Sequence, residues 1–278
     1  MHVVTVTLKG KEPVTVAAGT RIDELAPAKT EEGNPVLGAI CNNMVVPLFA
    51  PLMVDSVLEP ISLADAQGWR VYRSSLCFLL AKTAHDLFPG EECHVRNSMG
   101  SGLYCTIEWK DRAPQVVRRA IGLLKKAMAE AVDQDLPITP EVVSYESAIA
   151  RFKAAGQTDK LNILAHHNQP FVKLMRCGDF LELSQQPLVS HLGLLKLFDL
   201  IPMGEGFVLL VPTTAKPNEL PPLPPTEYLF KVYQEHIAWG KIVGITSVGE
   251  LNEAIVEKRA DDFVHTIEAL HDKKLGRI

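Results

Sequence analysis

"VVTVTLKGKEPVTVAAGTRIDELAPA", residues 3–28, decides how the chain begins to fold. VVTVTL and VTVAA both alternate with a period of two, and KGKEP between them has turn chemistry. The pair therefore reads as a β-hairpin. Thr20 then opens a short helix over RIDELAPA, with Asp23 and Glu24 in the first turn, where the helix dipole favours negative charge. Past EEGNP, the run VLGAICNNMVVPL reads as two strands joined at Asn42-Asn43, a turn dipeptide. DSVLEPIS closes the unit.

This order of pieces is similar to the ubiquitin-like β-grasp fold, expected over residues 1–63. Modules of that kind bind or dock more often than they catalyse. LADAQGWRVY connects the unit to an amphipathic helix in SSLCFLLAKTAHDLFPG, whose apolar positions Leu76, Phe78, Leu79, Leu80, Ala84 and Leu87 end at a Pro-Gly stop. CHVRNSMGSGLYCTIEW reads as a loop and then a strand, LYCTIEW. A long helix follows over QVVRRAIGLLKKAMAEAVDQ, with Val116, Ala120, Leu123, Leu124, Ala127 and Ala131 as its expected apolar stripe.

Further along, VVSYESAIARFKAAGQ predicts a strand and a helix ending near Gly156. PFVKLMRCGDFLELS predicts two strands around a Cys-Gly-Asp turn, and LLKLFDLIPM and GFVLLVP extend the sheet. The proline-rich TTAKPNELPPLPPTE is an extended surface connection. The tail is helical, broken at ITSVG, and Ser247 with Glu250 fits a capping box before one long charged helix. The whole is an α+β chain. Its expected parts are a β-grasp unit (1–63), a larger α+β domain with an antiparallel sheet (64–226) and a helical segment (227–278).

The chain has 278 residues, and a hydrophobic fraction of 47% supports real cores. The formal charge of -5 provides no global field to attract nucleic acid, although a local basic patch could. The five cysteines contain no CxxC pair, which argues against a zinc knuckle and for reduced thiols. The N-terminus lacks the pattern of a signal peptide, and no apolar run approaches the ~20 residues of a membrane span. A cytoplasmic location is expected.

RSSLCFLLAKTAHDLFPG, GSGLYCTIEW, VVSYESAIARFKAAGQTDKLNIL and GDFLELSQQPLV, in this order after a β-grasp unit, resemble the N-terminal half of threonyl-tRNA synthetase. That region comprises a TGS domain and the second additional domain (SAD), which edits mischarged tRNA. The family's editing motifs are HxxxH and a Cys followed four residues later by His. Imidazole and thiolate can ligate a metal or carry protons at neutral pH, and ester hydrolysis needs such groups. The resemblance places the first motif on Ser74 and Phe78 and the second on Ser184 and Leu188. Hydroxyl and hydrocarbon groups stand where the chemistry requires imidazole and thiol, so the editing site is degenerate and no metal is expected.

NSMGSGLYC, LMRCGDF, GFVLLVP and WGKIVGITSVGELNEAI also resemble the TGS–SAD region of bacterial uridine- or nucleoside-kinase-like proteins. That resemblance implies a non-catalytic accessory region, for ligand sensing or docking, whose partner is a downstream kinase domain. The 278 residues contain no GxxxxGK[ST] loop, so ATP and Mg are expected only in that further domain. A tRNA-binding module and a residual aminoacyl-tRNA editing hydrolase are the alternatives.

Around the degenerate positions, Arg73, Cys77, Cys177, Asp179 and Gln186 are the candidate lining of a surviving cleft, suited to a small nucleoside or amino-acid-like ligand. Cys77 and Cys177 read as buried small apolar residues without an assured base, and Asp179 as a turn cap. His85 has no histidine four residues away. His94 beside Cys93, and His166 beside His167, are neighbours whose side chains diverge on a strand. Arg118, Arg119, Lys125 and Lys126 read as a solvated helix face.

Overall fold

The computed structural model describes residues 2–109, 113–166, 169–183, 186–245 and 247–276. They fold into two compact units. One comprises Met1–Glu141 and Lys173–Pro224, and the other Val142–Val172 and Pro225–Ile278.

The first unit opens with β1 (Val3–Leu8), β2 (Val14–Ala17), β3 (Gly38–Cys41), β4 (Met44–Val46) and β5 (Ser56–Ile61). These form a mixed sheet in the order β2-β1-β5-β3-β4, with β1 and β5 parallel. This is the expected β-grasp arrangement. The two-residue alternation of β1 buries Val4 and Val6 with Ile22, Val36, Ala39, Leu48, Leu52 and Leu58. Asn42 and Asn43 both take positive φ, as the tight β3–β4 turn demands. The helix expected over RIDELAPA is a correction: only a 3-10 turn, Ile22–Glu24, forms. Its one buried residue, Ile22, gives too little apolar surface to hold several turns.

α1 (Ala66–Leu87) starts inside the expected connection, at Ala66 rather than near Ser74. Asp65 fixes that start by accepting from the Ser62 N–H at 2.7 Å and the Ser62 hydroxyl at 3.1 Å. One turn on, Gly68 lets the helix pass so near β5 that an added Cβ would lie 1.8 Å from the Ser62 carbonyl oxygen. The segment expected as a loop before LYCTIEW is a strand. β6 (Cys93–Met99) pairs antiparallel with β7 (Gly102–Ile107), with a register shift between Val95 and Ser98.

α2 (Pro114–Gln134) follows, with Pro at its first position. Its stripe is rotated from the expected one. Val117, Ala120, Ile121, Leu124, Met128, Ala131 and Val132 are buried, whereas Val116 and Leu123 face solvent. β8 (Thr139–Ser144), β9 (Phe171–Cys177) and β10 (Phe180–Leu183) make a sheet in the order β10-β9-β8. β11 (Asp199–Met203) and β12 (Gly206–Leu210) complete a four-stranded antiparallel sheet, β11-β12-β7-β6. Leu37, Ile61 and Leu63 share one core with α1, α2 and this sheet, so the β-grasp sheet has apolar contacts on both sides. The proline-rich connection is anchored at its start and again before its midpoint. Pro212 O accepts from Trp69 Nε1 at 2.8 Å, and Asn218 Nδ2 donates to Asn34 Oδ1 at 3.0 Å.

The second unit holds α3 (Tyr145–Ala154), α4 (Thr158–Leu164), α5 (Glu227–Val243), α6 (Val248–Val256) and α7 (Ala260–Leu275). The expected capping box is present: Ser247 Oγ accepts from Glu250 N, and Glu250 Oε2 accepts from Ser247 N. The single long helix expected after it is instead α6 and α7, split where Lys258 adopts φ 60°.

Candidate functional site

α1 is apolar around much of its circumference, and the loop after β10 lies against it. Phe78 is 3% exposed and Leu188 2%, and both belong to the main core. The Phe78 ring meets Phe180 of β10 edge to face at 5.5 Å, and His85, seven residues along the same helix face, stacks tilted on Phe180 at 5.4 Å. The two hydrocarbon side chains therefore fill the core instead of lining an open cleft, which corrects that part of the expectation. Ser184 lies outside the described residues.

The other proposed lining residues fall in separate places. Arg73 is half-buried with its guanidinium 5.3 Å from the Trp69 ring centre, and Ser74 beside it is half-buried. Cys77 sits near Arg73 and Cys105. Burial pushes its thiol up to about 11, against the opposing pull of Arg73. Cys177 lies near the Lys82–Asp86 ion pair, on the Phe78 side of α1, and burial raises its thiol too. Asp179 and Gln186 are exposed, Asp179 in the β9–β10 turn beside Gly178, which has φ 60°. The helix thus separates Cys77 from Cys177, and protonated thiols are weak nucleophiles.

Three side chains to which the sequence reading gave no role pin this loop. Ser75, fully buried, donates to Val71 O at 2.7 Å and accepts the Val189 N–H at 2.9 Å. Tyr72 Oη donates to Leu197 O at 3.1 Å and accepts from Leu197 N at 2.8 Å. Burial of Tyr72 raises its phenol well above the ordinary range, so it stays a neutral donor. Asp135, in the left-handed conformation at the C-terminal cap of α2, accepts Gly193 N–H at 2.6 Å and bonds His191 Nδ1. Burial opposes ionisation of Asp135, but His191, the Gly193 N–H and Lys196 outweigh it and lower the carboxyl below its ordinary value. One signal was legible. Val71, Ser75 and Leu79 lie four residues apart, so Ser75 interrupts an apolar helical stripe, and a hydroxyl there needs a buried partner.

The loop is thus clamped to α1 at two points and to the end of α2 at a third. At Phe78 and Leu188 the arrangement provides packing and no proton carrier or metal ligand.

The chain is similar to threonine–tRNA ligases. It is 33% identical to that of Syntrophotalea carbinolica over 169 residues, covering 60% of this chain and 26% of that protein. It is 29% identical to the Polaromonas naphthalenivorans ligase over 197 residues, 70% of this chain and 30% of the ligase. An Azoarcus ligase is 32% identical over 155 residues, 55% of this chain and 24% of the ligase. No family model matches the chain. The chain spans roughly a quarter to three tenths of the length of these curated relatives and carries a threonyl-tRNA-synthetase-like region. These relatives lend no support to the expected kinase parent. No helix among the described residues is long and apolar enough to cross a membrane.

Proposed function

We propose that the chain is a tRNA-binding module of threonyl-tRNA-synthetase type, comprising TGS-like and SAD-like parts, which holds its RNA without hydrolysing an ester. Similarity to threonine–tRNA ligases over 55 to 70% of the chain supports the binding half of this reading. The observation that carries the non-hydrolytic half is the burial of Phe78 and Leu188, the residues onto which the resemblance carries the editing histidines. A phenyl and an isobutyl group in the core neither activate water nor polarise a carbonyl.

The test uses fluorescence anisotropy with a labelled tRNA across a salt series, together with a deacylation assay on a mischarged tRNA. The expected result is saturable binding that weakens steeply with salt, because phosphate contacts release counterions, and no deacylation above the uncatalysed rate. Absence of binding at low salt would refute the binding half, and multiple turnovers of the ester would refute the other.

A second reading rests on NSMGSGLYC, LMRCGDF, GFVLLVP and WGKIVGITSVGELNEAI, which are similar to segments of uridine-kinase-like proteins. On that reading the chain is the accessory region of a nucleoside kinase. A P-loop in the gene within about 30 codons of Ile278 supports it, whereas synthetase core motifs there rule it out.

A further inference from the structure

We propose that Glu92, His94 and Glu108 form a binding site for one divalent first-row transition cation, Zn2+ being the representative ion. The site lies at the open end of the β6–β7 hairpin and uses none of the residues at the degenerate editing positions.

The backbone puts these residues together. His94 pairs with Thr106 and Cys93 with Ile107, so continuing the register by one places Glu92 opposite Glu108. The Glu108 N–H donates to Glu92 O at 3.0 Å and holds that pairing. Glu92 and His94, two residues apart, project from one face of the strand, and Glu108 joins them there from its neighbour. His94 Nε2 stands 3.5 Å from Glu92 Oε2 and 3.5 Å from Glu108 Oε1. All three ligand atoms lie within 4.8 Å of one another.

The donor set and its spacing point to a cation. Ligands about 2.1 Å from a tetrahedral ion lie about 3.4 Å apart, close to both His94–carboxylate distances. One imidazole and two carboxylates suit Zn2+, Mn2+, Co2+ or Ni2+ better than Mg2+, which prefers all-oxygen ligation. The fourth position would take water. Arg96 is a nearby competitor: its Nη2 lies 3.9 Å from Glu108 Oε1, and its Nε donates to Thr106 Oγ1 at 3.1 Å. The long Arg96–Glu108 contact is one that an ion displaces.

Co2+ serves as the probe because its spectrum reports ligand type. The whole chain is titrated with Co2+ and followed by visible absorption and thermal shift, and Zn2+ is then used to displace it. The expected result is one Co2+ per chain, weak visible bands without a strong near-ultraviolet thiolate band, and a raised melting temperature. H94A and E108Q, both on the hairpin surface, should each weaken binding by about tenfold or more, while circular dichroism shows them folded. E92Q is the second check on the same site. No saturable binding, a thiolate band pointing to the cysteines, or unchanged affinity in H94A would overturn the proposal.

Discussion

Ser75→Ala tests whether the loop after β10 is held to α1 by a hydroxyl. The Val189 N–H is buried and donates to Ser75 Oγ at 2.9 Å. Alanine removes that acceptor and changes little else: Val71 O keeps its place as a helix carbonyl, and the lost volume is one oxygen. Leaving a buried N–H unpaired costs about 1–3 kcal/mol. Taking about 2 kcal/mol, local opening of the loop rises roughly 30-fold. Hydrogen exchange of the Val189 amide reads this directly, and urea unfolding followed by tryptophan emission reads the global part, with an unchanged m-value. Ser74→Ala, one residue away and half-buried, is the control and should stay within about 0.5 kcal/mol of the parent. If Ser75→Ala also fell within about 0.5 kcal/mol, and Val189 exchanged at the parent rate, the clamp would not be what holds the loop.

Three further outcomes are expected. Gly68→Ala puts a Cβ 1.8 Å from the Ser62 carbonyl oxygen, so α1 must move off β5. A loss of about 3 kcal/mol or more in urea unfolding is expected, and a loss below about 1 kcal/mol would refute the close approach. The Asp135 carboxyl is lowered from its ordinary 3.8 in the folded chain, so its contribution is present above that value and fades as pH falls through the folded pKa. Asp135→Asn should therefore flatten the acid limb of the stability profile while changing the neutral region by less than about 1 kcal/mol, because the group is half-exposed. With its thiol near 11, Cys77 holds roughly 0.1% thiolate at pH 8. Mass spectrometry after brief alkylation of the folded protein should find Cys77 and Cys105 unmodified and Cys41 modified, and early loss of Cys77 would contradict its burial.

Features set by near neighbours were legible in the sequence. The β1–β2 hairpin, the Asn42-Asn43 turn, the β9–β10 turn at Gly178 and the Ser247–Glu250 box each depend on a few adjacent residues, and each is present. The same local reading failed where a partner distant in sequence decided the outcome. α2 carries apolar residues on more than one line, and packing against α1, the 3-10 turn Leu192–Leu194 and β11 selects Val117 and Ile121 over Val116 and Leu123. CHVRNSM shows no clean alternation, and only pairing with β7 makes it a strand. RIDELAPA has helix-start chemistry but too little apolar surface to bury, so it stops after one turn.

By itself the sequence determined the α+β class, the β1–β2, β3–β4 and β9–β10 hairpins and the Ser247–Glu250 cap, because local chemistry and periodicity are properties of adjacent positions. Tertiary structure alone decided that Phe78 and Leu188 are core and that Ser75, Tyr72 and Asp135 hold the loop over them. Ser75 meets a partner 114 residues away and Tyr72 one 125 residues away. Which hydroxyl is buried, and against what, is fixed only when the folded chain closes those long loops.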